Sequence, residues 1–202
     1  MGVSDAEAVL GEGRIGADQT FSVPDVRVKN IHLSLAARLD QPGFVRSTTV
    51  LLDTAITRTR PTLDLGGTRA WALPDAFHEA LTGAVGETTV RGLSDQRAGT
   101  LRDAGFVLGR VVDAAGKPVA GALVVPDREA LAARVYYPSA DFQRATQEGT
   151  SATGLFVYVH SGGATESFLL SVKGSDGYVP RNVAATPGSG LLLTLSPGDT
   201  SR

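Results

Sequence analysis

Side chains able to do acid–base, nucleophilic or metal chemistry are sparse in this chain of 202 residues. Cysteine is absent, which removes disulfides, thiolate nucleophiles and zinc–thiolate sites together. Three histidines remain, His32, His78 and His160. A Ser-His-Asp hydrolase needs nucleophile, base and orienting acid in mutual reach, and no Gly-x-Ser-x-Gly elbow accompanies any of them. His32 falls on the polar side of an alternating strand pattern and His78 on the polar side of a helical one, so both are expected at the surface. His160 ends a strand pattern before a glycine-rich turn and is expected at an edge. Asp127, Glu129, Asp141 and Glu148 could surround one loop as oxygen ligands for calcium, but scattered loop carboxylates are ordinarily solvated. No catalytic group, metal or other cofactor is expected. Gly11, Gly13 and Gly16 spell Gly-x-Gly-x-x-Gly, yet without a preceding strand they cradle no phosphate.

Other side chains are suited to binding. Arg58, Arg60 and Arg69 would make a small basic patch or a solvated strand face. Tyr136, Tyr137 and Tyr158 could line a shallow aromatic surface for carbohydrate or protein, although Tyr158 sits in an apolar run and belongs in the core. Tyr136 and Tyr137 are adjacent, so in an extended chain they point to opposite faces and one is exposed. Together with Asp141 and Arg144 of the same loop, they are the candidate binding residues. Nineteen Lys and Arg against 21 Asp and Glu give a net charge of -2, which offers nucleic acid or an anionic membrane no electrostatic footprint. No apolar run is long enough for a transmembrane segment.

The elements that must position these residues read as strands. Twenty-four glycines and ten prolines favour a β-rich, turn-rich fold. Residues 1–20 read as a flexible leader, and 21–86 as a β-rich N-terminal domain ending in a helix. From Ile31 the alternation is strict, with Ile31, Leu33, Leu35, Ala37 and Leu39 on one face. Gln41-Pro42-Gly43 turns the chain into a second strand over 44–52, forming an antiparallel pair. Residues 69–73 read as a short strand carrying the sole tryptophan, Trp71. Pro74 and Gly86 bound a helix over 75–85, with Ala76, Ala80 and Ala84 in one row and Phe77, Leu81 and Val85 in the next. Residues 87–105 are polar and glycine-rich and read as a linker. A second domain over 106–197 and a tail over 198–202 complete the chain.

The second domain carries the most pattern. Gly109-x-Val111-x-Asp113 leads through a turn to Gly116-Lys117-Pro118-Val119-x-Gly121-Ala122-x-Val124, two apolar strands expected to pair as a hairpin. Thr150-Ser151-Ala152-Thr153-Gly154-Leu155-Phe156 follows, and later Gly177-Tyr178. In this order the three blocks resemble the carboxypeptidase regulatory-like domain, over about residues 106–196. The resemblance implies an antiparallel, transthyretin-like (prealbumin-like) β-sandwich, so the expected fold class is mainly β with one short helix near 75–85. The family passes from its second strand to the Thr block by a short connection, whereas here 126–149 intervenes. Asp127 could cap a short helix over 128–134, and 135–138 reads as an extra strand. Long structured excursions from a compact domain often carry function. Residues 155–160 are apolar on both faces and read as a central strand, joined by a hairpin at 161–164 to the strand at 168–173. A final strand covers 191–195.

By that resemblance the chain is expected to be a non-catalytic interaction or structural module of the bacterial cell envelope or exterior. The location would be that of an outer-membrane lipoprotein or a periplasmic protein, with a lipid carried on a residue upstream of Met1; a natural cytoplasmic start is the alternative. The phrase over 53–75 is similar to segments ahead of such modules in bacterial envelope lipoproteins. The partner would be another envelope or surface protein, or a glycan, held by the loop 126–149. A second reading makes the chain an enzyme subunit or accessory protein, its site built in the N-terminal half from Asp53, Arg58, Arg60, Asp64, Arg69 and His78. A pocket converging two or more of these would favour it. Two architectures stay open, two small domains or one continuous body in which the first strands complete the sandwich.

Overall fold

The computed structural model describes residues 11–24, 34–53, 68–175 and 177–198. The elements are β1 (Ser34–Leu39), β2 (Ser47–Asp53), α1 (Asp75–Val85), α2 (Glu87–Leu93), α3 (Leu101–Ala104), β3 (Phe106–Val111) and β4 (Val124–Pro126). A 3-10 helix (Glu129–Arg134) then precedes β5 (Val135–Pro138), β6 (Ala145–Thr146), β7 (Leu155–Val159), β8 (Glu166–Val172), β9 (Arg181–Ala185) and β10 (Gly190–Leu195). The strands form a seven-stranded sheet, β1-β2-β10-β3-β7-β5-β6, and a three-stranded sheet, β4-β8-β9. The protein is mainly β, as its glycine- and proline-rich composition predicts.

Alternation of side chains decides how the layers stack. Val107, Val111, Phe156, Tyr158, Leu193 and Leu195 leave the large sheet on one side and meet Val124, Phe168, Leu170, Val172, Val183 and Ala185 of the small one. The intervening residues, Phe106, Leu108, Val157, Val159 and Leu192, leave on the other side and meet Leu81, Val85, Val90, Leu101 and Ala104 of the helices. The middle strands of the large sheet are therefore covered on both faces. That is why 155–159 is apolar at every position, and Leu155, Phe156, Val157, Tyr158 and Val159 are all buried.

Several expectations are met. β1 and β2 pair antiparallel, and Leu35, Ala37 and Leu39 are more covered than Ala36 and Arg38. The helix expected over 75–85 is α1. Residues 25–33, which hold His32 and the start of the first alternating run, lie outside the described residues.

Others are corrected. The stretch 87–105, read as a linker, contains α2 and α3 and buries Val90, Ala98, Leu101 and Ala104. Each helix is too short to repeat an apolar period, so its few buried residues leave no visible pattern. Thr100 caps α3, its hydroxyl accepting from the Asp103 amide at 3.1 Å. The chain thus has three helices and a 3-10 helix among the described residues, not one helix. The 3-10 helix takes the place of the helix expected over 128–134, and Asp127 does not cap it; its carboxylate accepts from the Leu169 amide at 3.1 Å. Residues 69–73 form no strand, although Val45 N–H donates to Leu73 O at 2.9 Å. The leader is not featureless either: Gly16 N–H donates to Thr20 O at 2.8 Å, and Ile15 bridges Phe21.

Two expected hairpins are crossovers. After β3 the Asp113 turn forms as predicted, with the Asp113 carboxylate accepting from the Ala115 and Lys117 amides at 2.9 Å each. Only Val112 and Pro118 bridge, however, before the chain leaves for β4 in the small sheet. Likewise 161–164 carries the chain from β7 in the large sheet to β8 in the small one. The large sheet is also mixed rather than antiparallel, because β10 runs parallel to both β2 and β3.

The blocks that stood out in the sequence pack on one another. Thr150 is buried; its hydroxyl donates to Val119 O at 2.6 Å and accepts from the Ala122 amide at 2.9 Å. It thereby fastens the first crossover to the loop before β7. Phe156 lies across Gly109, where a Cβ would come within 2.2 Å of the ring, and Phe106 lies across Gly190, where it would come within 2.4 Å. Both glycines are chosen for the absence of a side chain, one on each face of the sheet. We predict that Gly109→Ala costs about 1–3 kcal/mol by overpacking. Chemical denaturation of the single variant and of Gly109→Ala/Phe156→Leu would check this, the smaller side chain recovering part of the loss.

Candidate functional site

The loop 126–149 is built, not loose. β5 joins the large sheet against β7, and β6 forms its edge. Tyr136 and Tyr137 point to opposite faces as expected, but the consequence differs from the expectation. Tyr137 is 3% exposed and enters the core between the sheets. Its hydroxyl accepts from the Val124 amide at 2.7 Å and donates to Val124 O at 3.2 Å. Burial pushes its pKa up. Tyr137 is therefore a structural tie and not a surface residue. Tyr136 is half-buried against the helical side, and burial raises its pKa too.

At the tip of the loop, Asp141 and Arg144 are both exposed. The Ser139 hydroxyl donates to Asp141 Oδ1 at 2.6 Å, and the Gln143 amide donates to the same oxygen at 3.2 Å. These bonds hold the Asp141 carboxyl below its ordinary pKa, the Ser139 bond contributing most. The Arg144 amide donates to Ser139 Oγ at 3.2 Å, closing the turn. Phe142 sits at φ 56°, in the left-handed region that bulky residues rarely adopt. Its ring meets Phe77 of α1 edge-on at 5.0 Å. Asp127, Glu129, Asp141 and Glu148 do not gather; among the described residues no three His, Asp or Glu side chains are placed to hold a metal ion.

Both described histidines are buried, which overturns the surface expected for His78 and the edge expected for His160. His78 is 5% exposed. Its Nε2 accepts from the Arg102 amide at 3.0 Å, which requires the neutral ring and satisfies a donor in the first turn of α3. Burial, and after it the charge of Arg102, hold its pKa below the ordinary histidine value despite Asp75, Asp103 and Glu79 nearby. His160 is fully buried. Its Nδ1 lies 3.0 Å from Ala104 O and its Nε2 3.0 Å from Ala164 O, while the Gly162 amide donates to Nδ1 at 3.2 Å. Beside it, the buried Tyr158 hydroxyl donates to Glu166 Oε2 at 2.6 Å. Burial, then the Glu166 carboxylate, push the Tyr158 pKa up. This group ties β7 to the start of β8 across the two sheets. No serine nucleophile is hydrogen-bonded to either histidine in the described residues.

A cleft of about 390 Å³ opens elsewhere. β10 pairs with β2 only from Gly190↔Ser47 to Leu192↔Thr49. Beyond that point no pairing joins the two strands, and the cleft is lined by Leu51, Thr194, Ser196 and Asn182, with Arg69, Arg110 and Arg181 from three different segments. Trp71 also lines it; its amide donates to Thr49 Oγ1 at 3.0 Å, and the Arg110 guanidinium lies 5.7 Å from its ring centroid. Arg110 Nε is buried with no hydrogen-bond partner. A buried donor without an acceptor costs about 1–3 kcal/mol. Of the two described side chains proposed for a site in the N-terminal half, Arg69 lines this cleft and His78 does not. His78 is buried among the helices, the side chain of Asp53 is not described, and Arg58, Arg60 and Asp64 lie outside the described residues. Sequence reading missed Arg110, although a lone charge inside the apolar run Phe106–Val111 was the available signal.

No family model matches the chain, and no curated protein matches it. Among solved structures, one similar to part of it is the Bacillus anthracis TIE protein, at 14% identity and a TM-score of 0.31. That likeness takes in 46% of this chain and 16% of the other, so the chain spans a small part of that protein's length. At that score it carries no inference about fold or function. No helix among the described residues is long and apolar enough to cross a membrane.

Two outcomes follow from these contacts. Tyr137→Phe should lose about 1–2 kcal/mol of stability in denaturant titration, while Tyr136→Phe should change it by less than about 0.5 kcal/mol. For His78 the folded-state pKa lies below the unfolded value of about 6.5. Its contribution is therefore whole above that pH and is lost as pH falls through the folded pKa. The urea midpoint should drop between about pH 7.5 and 5.5, and the drop should shrink in His78→Gln.

Proposed function

We propose that the protein is a non-catalytic interaction module of the cell envelope or the extracellular space. In this reading its two sheets form a transthyretin-like sandwich of the carboxypeptidase regulatory-like kind, and the excursion 126–149 contacts a protein or glycan partner. The observation that carries the proposal is the tip of that excursion. Phe142 is held at a positive φ, a conformation that costs about 1–3 kcal/mol and persists where the surroundings over-determine it. Ser139, Asp141 and Arg144 close the turn around it, and Phe77 seats its ring. The result is a rigid projection with Asp141, Gln143 and Arg144 exposed. A pre-ordered surface loses little side-chain and loop entropy on binding, which favours recognition over chemistry.

The family reading is supported by the contacts of the Thr150, Gly154 and Phe156 block, in which Thr150 bonds to Val119 O, Gly154 abuts Val111 O and Pro118, and Phe156 lies across Gly109. The envelope location rests on the resemblance alone.

The test is affinity capture from an envelope extract with the intact chain and with Asp141→Ala/Gln143→Ala/Arg144→Ala. The triple variant should keep the far-UV circular dichroism of the parent and lose the captured partner. Recovery of the same partner at the same yield would overturn the assignment of the tip.

A further inference from the structure

We infer that the cleft between β2 and β10 is a binding site for a small anionic carbohydrate, a sugar ring bearing a carboxylate or a phosphate. Three guanidinium groups line one cavity, from the segment before α1 (Arg69), from β3 (Arg110) and from β9 (Arg181). Among the described residues lining it, none is acidic. Arg110 is the informative member. Its Nε is shut off from solvent and has no acceptor among the described residues, and its guanidinium is held beside the Trp71 ring. Guanidinium groups present paired N–H donors in the planar spacing that a carboxylate or phosphate accepts. An oxyanion seated here would satisfy the Arg110 donor.

The size and the remaining lining point beyond a bare ion. About 390 Å³ lies within the range of small-molecule sites, far more than inorganic phosphate fills. Thr194, Ser196 and Asn182 offer hydroxyl and amide groups for a polyhydroxylated body. Trp71, half-buried, offers an apolar edge against which a sugar ring can lie. The site is separate from the 126–149 tip, none of whose residues lines it.

Trp71 is the only tryptophan in the chain, so its fluorescence reports on this cleft directly. The intact protein would be titrated with glucuronate, glucose 6-phosphate, glucose and inorganic phosphate. At least one of the two anionic sugars should saturate the signal below about 10 mM, and which one does so tells carboxylate from phosphate. Glucose should give no saturable change, and inorganic phosphate should bind about tenfold more weakly than the sugar. Arg110→Met and the exposed Arg69→Ala should each weaken binding about tenfold, with Arg110→Lys falling between Arg110→Met and the parent. Thermal unfolding of each variant would separate loss of binding from loss of fold, Arg69→Ala being the variant least able to disturb the core. Failure of every anion to saturate, unchanged affinity in Arg69→Ala, or phosphate binding as tight as the sugar's would each overturn the inference.

Discussion

β10 is hydrogen-bonded along both edges, in parallel to β2 on one side and to β3 on the other, and the layering depends on that insertion. Its alternate residues divide the molecule: Leu192 packs with the helices, while Leu193 and Leu195 pack with the small sheet. Without it, β1 and β2 would have no sheet to join, and the two apolar clusters would lose a shared wall. The same strand creates the cleft. Its pairing with β3 runs six residues, from Gly190 to Leu195, but its pairing with β2 stops at Leu192. The region that opens between them exists because one edge of β10 is satisfied for longer than the other.

Polar groups buried in this frame are structural where they are fully partnered. His78 gives an acceptor to α3, Tyr137 closes both hydrogen bonds of Val124, and Tyr158 reaches Glu166 across the sheets. Each would have been a candidate for chemistry by residue type, yet each is occupied by a bond that holds the fold. Arg110 differs because one of its donors is buried and unclaimed.

Local patterning revealed much of the fold and little of the site. The alternation at Leu35, Ala37 and Leu39, the apolar run at 155–159 and the Pro74 to Gly86 bounds of α1 each arise within one element, so they can be read from one stretch. Whether the turn at Asp113 closes a hairpin or passes the chain to another sheet depends on partners more than 40 residues away, since β4 pairs with β8. The same turn residues serve either outcome. His78 went to the wrong face because a histidine is polar until a donor such as the Arg102 amide, 24 residues on, meets it. The cleft gathers residues from 49 to 196, and no spacing rule joins positions that far apart.

The place of β10 in the chain sets an order of events. β2 is complete by residue 53, but its second partner in the sheet, β10, begins at residue 190. During synthesis the β1–β2 pair must wait until β10, at 190–195, has appeared, with one edge of β2 unsatisfied meanwhile. Closing so long a loop is slow and leaves a template for pairing with another chain. β10 is thus the strand that closes the second edge of β2, and until it emerges that edge stays open to pairing with another chain.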